Sequence, residues 1–140
     1  MALTKSTPRT FRGAVTVGDL DEPVVASDII YEGAALTDAG GAGVVGPCVG
    51  TETFRGFALA ERDNSAGAAG ALKVPVRREG EVLLTISSLA QTDVGVTIYA
   101  SDDGTFTKTS TSNCAIGVLT EYVSSTQGWV RFQAAPLRSL

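Results

Sequence analysis

Apolar and polar residues alternate along several short segments in the second half of the chain. In one of them, Leu72, Val74 and Val76 fall on one side of an extended backbone, while Lys73 and Arg77 fall on the other. No window longer than about ten residues keeps its apolar residues at helical spacing. The alternation predicts strands at Leu72–Arg77, Glu81–Ile86, Val94–Ala100, Ala115–Tyr122 and Trp129–Gln133.

The same alternation indicates which side chains face the interior. We expect one face of each strand, rich in branched apolar residues, to be buried. These residues are Val74, Val76, Val82, Leu84, Ile86, Val96, Ile98, Ile116, Val118, Val130 and Phe132.

Turn-forming residues separate the predicted strands. Arg78-Glu79-Gly80 predicts a hairpin turn between the first two, and Asp103-Gly104 predicts a tight hairpin turn with positive φ. Ser124–Gln127 separates the last two strands. Many short strands with regularly spaced turns are typical of sandwiches and barrels. We therefore expect an all-β fold in a chain whose 140 residues suit a single domain.

The first half of the chain gives weaker signals. Two stretches rich in Gly and Ala, Gly33–Gly50 and Asn64–Ala71, are typical of mobile loops with little to pack. Short apolar stretches predict weaker strands at Ala14–Val17, Val24–Tyr31, Val44–Val49 and Phe54–Ala60.

Composition and missing motifs exclude several classes of function. The absence of histidine removes His-based triads, most zinc sites and the usual acid–base group of neutral pH. A net charge of −4 argues against nucleic-acid binding, because phosphates require a basic surface. No P-loop, GxSxG or GxGxxG motif occurs. We therefore expect no enzymatic activity, no cofactor and no nucleic-acid partner.

No segment predicts secretion or membrane insertion. The first 13 residues lack the apolar centre of a secretory signal. The longest apolar stretches fall well short of the ~20 residues that a membrane-spanning helix needs. We therefore expect synthesis in a cytoplasm and no membrane partner.

Two acidic clusters carry the oxygen ligands that calcium prefers. One contains Asp19, Asp21 and Glu22, and the other contains Asp102 and Asp103. Neither matches the calcium-binding loop of an EF-hand. A solvated loop explains the first cluster and turn chemistry explains the second, so we expect no metal site.

The two cysteines, Cys48 and Cys114, lie 66 positions apart and do not form a CxxC motif. One disulfide between them remains an alternative. Synthesis in a reducing cytoplasm favours buried thiols instead. Without histidine, Cys48 has no base to activate it as a nucleophile.

The N-terminal segment, residues 1–13, has a composition of its own. Lys5, Arg9 and Arg12 are basic, and no acidic residue occurs in the first 18 positions. Pro8 disfavours a helix in the residues before it. We expect an extended basic arm. It would contact a partner through Lys5, Pro8, Arg9 and Arg12, with Phe11 as an apolar anchor. The alternative is a frayed terminus.

Seven short motifs follow one another in order within about residues 53–134. They are Gly56-Phe57-Ala58, Val74-Pro75-Val76, Gly80-Glu81-Val82, Asp93-Val94-Gly95, Ile98–Gly104, Ala115–Leu119 and Gly128–Phe132. In this order and spacing, the chain resembles the small capsid-decoration (cement) proteins of tailed phages. No single motif is diagnostic, and residues 1–50 match only loosely.

The resemblance implies a small β-barrel or β-tulip-like domain, here residues 14–140, preceded by an N-terminal arm. Such proteins bind the outer surface of the expanded head as homotrimers and bridge major capsid subunits. It also implies a virion protein made in the host cytoplasm. In this framework Lys5, Pro8, Arg9, Phe11 and Arg12 are candidate capsid contacts, and Trp129 and Arg131 are candidate subunit contacts.

Two alternatives stay open at this point. One is another virion β-protein, such as a tail or head-fibre component. The other is a carbohydrate- or small-molecule-binding β-module, in which Trp129, Tyr99 and Tyr122 form a stacking platform.

Overall fold

Strands make up most of the regular structure in the computed structural model, which describes residues 2–13, 18–41 and 43–134. The strands are β1 Phe11–Arg12, β2 Leu20–Pro23, β3 Asp28–Ile30, β4 Ala35–Asp38, β5 Val45–Pro47, β6 Phe54–Ala58, β7 Arg62–Asn64, β8 Lys73–Arg77, β9 Glu79–Thr85, β10 Thr97–Ala100, β11 Phe106–Thr107, β12 Cys114–Ser124 and β13 Gln127–Gln133. Within these residues the only helical elements are two 3-10 turns, Ala39–Gly41 and Gln91–Asp93. The all-β class is therefore confirmed. The strand predicted at Ala14–Val17 lies outside the described residues.

The strands form two main sheets and one small ribbon. The six-stranded sheet has the order β1-β9-β13-β12-β10-β11, and the five-stranded sheet has the order β2-β8-β6-β4-β5. Strands β3 and β7 pair with each other as a separate ribbon. The ladders alone leave both main sheets open. Isolated parallel bridges pair Val24 with Val45 and Ile86 with Phe106, so β5 also meets the end of β2, and β11 also meets the end of β9.

Two apolar clusters hold these layers together. The first lies between the two main sheets, where Phe57 of β6 meets Phe132 of β13 with ring centroids 5.0 Å apart. The second lies on the opposite face of the five-stranded sheet, where Leu36 of β4 packs with Ile30 of the ribbon. The five-stranded sheet is therefore covered on both faces, whereas the six-stranded sheet keeps one face in solvent.

The strands predicted in the second half of the chain are all present, with shifted ends. The largest shift is in β10, which begins at Thr97 instead of Val94 because a 3-10 turn occupies Gln91–Asp93. Val96 precedes the strand and is only half-buried, so its predicted burial is wrong.

The predicted hairpin between β8 and β9 is wrong. The two strands belong to different sheets, and Arg78 alone separates them. Glu79 and Gly80 pair with β13, and the ladder therefore takes up the residues that were expected to form the turn. The chain crosses from one sheet to the other at this point.

The predicted burial of Val118 is also wrong, because a bulge shifts the alternation of β12. The register of β12 against β10 changes around Ile116, which is an extra residue in the ladder. An extra residue moves the following side chains to the other face. Ile116 and Leu119 are fully buried, whereas Val118 is 40% exposed on the outer face.

The turn between β10 and β11 is present but differs in geometry. Ser101 N donates to Thr105 O, and the Asp102 carboxylate accepts from Gly104 N. Neither Asp103 nor Gly104 has a positive φ, contrary to prediction. The loop is longer than a two-residue turn, and the Asp102 side chain caps it.

The stretch Gly33–Gly50 is not a loop. It contains β4 and β5, and Ala34, Ala35 and Leu36 are fully buried. Small side chains in β4 are suited to a strand that has a packed layer on each side. The stretch after Asn64 does form turns up to residue 72.

Candidate interaction surface

The N-terminal segment lies against its own body in this structure, which differs from the free arm that its sequence predicts. Leu3 N donates to Asp103 Oδ1 at 2.9 Å, and Thr7 N donates to Glu32 O at 2.7 Å. The segment ends in β1, which adds an edge strand to the six-stranded sheet beside β9. Its hydrogen-bond partners therefore come from three separate parts of the body, namely Asp103, Glu32 and β9.

A close approach at Gly33 fixes the path of this segment. A Cβ at Gly33 would lie only 1.7 Å from Thr7 O, and Gly33 has a φ of 88°. Any side chain there would collide with the segment and would also strain the backbone. Glycine is therefore required where the segment crosses the body.

Arg9 is directed into the body as well. Its Nε donates to Gly33 O at 2.8 Å, and its guanidinium lies 5.2 Å from the centroid of the Phe106 ring. Burial lowers the pKa of Arg9, and the Asp103 carboxylate partly opposes this shift. Burial also raises the pKa of Asp103, against the hydrogen bond from Leu3 N. The opposite charges of Arg9 and Asp103 thus stabilise each other where the N-terminal segment lies against the body.

Phe11 packs into the first core of this chain and does not extend toward a partner. Its ring centroid lies 5.9 Å from that of Phe132 and 6.2 Å from that of Phe57. The Arg77 guanidinium covers it at 4.9 Å. The anchor predicted from the sequence is therefore an anchor of the segment onto its own body.

Arg12 and Trp129 lie together on the exposed face of the six-stranded sheet. The Arg12 guanidinium is 4.0 Å from the centroid of the Trp129 ring, and its Nη2 donates to Glu121 Oε1 at 2.7 Å. The hydrogen bond to Glu121 is the main cause that raises the pKa of Arg12. The sequence assigned these two residues to different contacts, but the structure places them in one.

Directly paired residues extend this cluster across five strands. Thr97, Val118, Arg131, Glu81 and Arg12 stand opposite one another in consecutive ladders, so their side chains share one face. We call the face that contains this row and Trp129 the outer face. Alternating charges of Arg131, Glu81 and Arg12 next to an exposed Val118 suit a contact with another protein.

Glu81 is the electrostatic centre of the outer face. Its carboxylate accepts from the Thr120 hydroxyl and from Arg12 Nε. The Thr120 hydrogen bond first, and the charges of Arg12 and Arg131 in addition, lower the pKa of Glu81 against a partial desolvation. Sequence analysis missed Glu81 and Thr120, although their outward positions follow from the alternation once the bulge in β12 is known.

A shallow groove of about 390 Å³ runs beside this row. Val118, Thr97, Thr120, Arg131 and Gln133 are among the residues that line it. Its lining combines polar and apolar side chains, as many protein contacts do.

The remaining predicted contact residues are exposed. Lys5 and Pro8 lie on the solvent side of the N-terminal segment, and Arg131 is exposed on β13. Of the three aromatic residues of the stacking-platform alternative, Tyr122 packs against the first core, and the ring of Trp129 has the Arg12 guanidinium over it.

The acidic clusters are accounted for by pairing within the chain. Glu22 is buried and forms an ion pair with Arg55, and Asp19 Oδ1 accepts from Arg77 Nε at 2.7 Å. In residues 2–13, 18–41 and 43–134, no group of three or more His, Cys, Asp or Glu side chains is suited to hold a metal ion. Across the same residues, no helix has the length and apolar character needed to cross a membrane.

Comparison of the chain with protein-family models, curated proteins and solved structures gives no match.

Proposed function

We propose that this protein is a capsid-decoration protein that binds the outer surface of the expanded head of a tailed phage. The observation that carries the proposal is the ordered set of motifs within about residues 53–134. Most of these motifs coincide with strands of the two sheets, from β6 to β13. The resemblance therefore rests on the elements that build the body.

The outer face is the surface we assign to contacts between copies of the protein. It contains Trp129 and Arg131, the candidate subunit contacts, and one edge of it is formed by β1 of the N-terminal segment. The other face of the same sheet is buried in the first core. A homotrimer on the shell would use this exposed face to join neighbouring copies.

The proposed contact with the major capsid protein divides into two groups. Lys5 and Pro8 are exposed and would contact the shell directly. Arg9, Phe11 and Arg12 hold the segment on the body and would act by presenting the first group. The segment is basic, whereas the remainder of the chain is acidic, and this separation would steer the segment toward an acidic shell surface.

The mechanism is binding linkage and involves no chemical reaction. A protein that binds only the expanded shell stabilises that state by RT ln(1 + [L]/Kd), where [L] is the free concentration of the protein, so the stabilisation grows logarithmically once [L] exceeds Kd. Bridging adjacent major capsid subunits would add this stabilisation at each occupied position.

Co-sedimentation with expanded and unexpanded empty heads of the encoding phage tests the proposal. We expect binding to expanded heads only. Lys5→Glu should weaken binding at least tenfold, about 1.4 kcal/mol. Lys73→Glu makes the same charge change at an exposed strand residue and should leave binding unchanged. Point variants are preferable to deletion of residues 2–12, because deletion also removes Phe11 from the core. Failure to bind expanded heads, or equal binding of both head forms, would contradict the proposal.

Immunogold labelling of intact virions separates this proposal from the alternative of a tail or head-fibre component. We expect label over the whole head surface. Label confined to the tail or to isolated fibres would favour the alternative.

A further inference from the structure

The two cysteines meet between the main sheets. Cys48 follows β5 of the five-stranded sheet, and Cys114 begins β12 of the six-stranded sheet. Both are thiols in this structure, and both are buried in the first core, with 6% and 5% of their surfaces exposed. They are 66 positions apart in sequence, so the fold alone brings them together.

The backbone holds the two chain segments side by side. A Cβ at Gly50 would lie 2.0 Å from Ser112 O, which places the residue two positions after Cys48 against the residue two positions before Cys114. The two segments therefore pass in direct contact two residues away from each cysteine.

Ala100 contacts both cysteines and so gives a second indication that they lie close together. Cys48 Sγ lies 3.9 Å from Ala100 O, and Ala100 stands directly opposite Cys114 in the β10–β12 ladder. A hydrogen bond with the Cys114 thiol is the largest cause that raises the pKa of Cys48, followed by burial. The Cys48 sulfur therefore lies beside the residue that pairs with Cys114.

Cys48 also borders an open cavity of about 400 Å³. The cavity is lined by Leu3 of the N-terminal segment, by Tyr31 and by Asp102 and Asp103, and exposed residues such as Asp28 form its rim. A small oxidant therefore has a path from solvent to Cys48. Cys114 does not line this cavity.

We propose that Cys48 and Cys114 form a disulfide that joins the two sheets when the protein meets a peroxide. The Cys48 thiolate attacks one oxygen of hydrogen peroxide and breaks the O–O bond, which gives a sulfenic acid and hydroxide that takes up the thiol proton as water. The Cys114 sulfur then attacks the Cys48 sulfur, and its proton leaves with the displaced hydroxyl as a second water. Two thiols are oxidised by two electrons, and one peroxide is reduced to two waters.

The consequences follow from the position of the bond. A cross-link between such distant residues restricts the unfolded chain and stabilises the folded one. The reducing cytoplasm would keep the pair as thiols, and oxidising surroundings would close it. The high pKa of Cys48 makes the attacking thiolate scarce at neutral pH, so closure should be slow and should accelerate with rising pH. The inference does not depend on the proposed function.

The test uses the full chain, treated with hydrogen peroxide and then unfolded in guanidinium with an alkylating reagent. We expect two alkylated thiols before treatment and none after it, a mass lower by two hydrogen atoms, a monomer on a non-reducing gel, and a higher midpoint of thermal unfolding that a reductant reverses. Two alkylated thiols after treatment, a gain of oxygen without loss of hydrogen, or a cross-linked dimer would overturn the proposal.

Matched variants test the order of the two steps. In Cys114→Ala, the reaction should stop at a Cys48 sulfenic acid, which dimedone traps. In Cys48→Ala, dimedone should label Cys114 much more slowly, because the cavity does not reach it. Equal labelling of the two variants would contradict the assignment of Cys48 as the entry point.

Discussion

The two main sheets of this protein differ in the length of their strands and in the number of faces that are buried. The six-stranded sheet contains long strands, with seven residues in β9, eleven in β12 and seven in β13, and has one exposed face. The five-stranded sheet has strands of three to five residues and is covered on both faces. Long ladders of hydrogen bonds therefore stabilise the six-stranded sheet, whereas the five-stranded sheet depends on the layers packed against both of its faces. The comparison also indicates why the outer face of the six-stranded sheet is available to a partner.

Buried polar contacts compensate for the short ladders of the five-stranded sheet and its ribbon. The Thr37 hydroxyl donates to Glu52 Oε1 at 2.7 Å, and Arg55 pairs with the buried Glu22. Asn64 ends β7 and binds two backbone carbonyl oxygens of neighbouring loops. Such contacts replace ladder hydrogen bonds that strands of this length do not make.

The largest expected effect is at the junction of the two sheets. The Phe57 ring lies 5.0 to 6.2 Å from the rings of Phe11, Phe54, Phe106 and Phe132. Phe57→Ala should lower the free energy of unfolding by about 3–5 kcal/mol, because a large cavity opens between the sheets. Guanidinium unfolding measures it. Val118→Ala on the outer face is the control and should change stability by no more than about 0.5 kcal/mol; equal losses would place Val118 in the core.

The next effect tests whether the N-terminal segment belongs to the body. Gly33→Ala should destabilise the protein by more than about 1–2 kcal/mol, because a positive φ costs that much and a collision with Thr7 O is added. Gly95→Ala is the matched control, since Gly95 has a φ of 97° and open space around it. Hydrogen exchange at the Thr7 amide should accelerate in the first variant only. Similar exchange in both variants would mean that the segment is not held at Gly33.

A third prediction concerns the polar contacts of the shorter strands. Asn64 is 2% exposed, and its Nδ2 donates to Val25 O at 2.9 Å and to Ala68 O at 3.0 Å. Asn64→Ala should cost about 1–3 kcal/mol, because both carbonyl oxygens lose a buried partner. Thermal unfolding measures the loss. Asp63→Ala changes an exposed neighbour and should cost clearly less; the reverse order would show that the ribbon does not need the amide.

The strands of the six-stranded sheet can be predicted from the sequence better than those of the five-stranded sheet, because only the six-stranded sheet has one exposed face. Residues such as Val82 and Val130 alternate with outward polar ones, because their sheet has one dry and one wet face. In β4, Ala35 faces one core and Leu36 faces the other, so no alternation exists to identify the strand. The outer row was hidden by the bulge at Ile116, which depends on pairing with β10 and not on local sequence. The docking of Phe11 likewise depends on contacts from distant parts of the chain.

The smallest expected effect concerns acid stability of the outer face. The pKa of Glu81 is lower in the folded state than its ordinary value of 4.5. Its contribution to stability is therefore complete above pH 4.5 and is lost as the pH falls through the lower folded value. Glu81→Gln should flatten this acid loss by no more than about 0.5 kcal/mol, since its ion pair with Arg12 lies at the protein surface, where solvent screens the charges.

Thermal unfolding across pH 3 to 6, an interval of about three units around the ordinary pKa of Glu, measures this change. Thr120→Val removes the main cause of the shift and should flatten the curve in the same direction. A steeper acid loss in either variant would contradict the assigned role of Glu81.

A density map of decorated heads tests the central claim that the outer face joins copies of this protein on an expanded shell. The account predicts trimers at the three-fold and quasi-three-fold positions of the shell. In each trimer, Trp129 and Arg131 of one copy should lie at the contact with the next, and Lys5 and Pro8 should face the major capsid protein. Isolated monomers away from the three-fold axes, or an outer face turned wholly to solvent, would contradict the account.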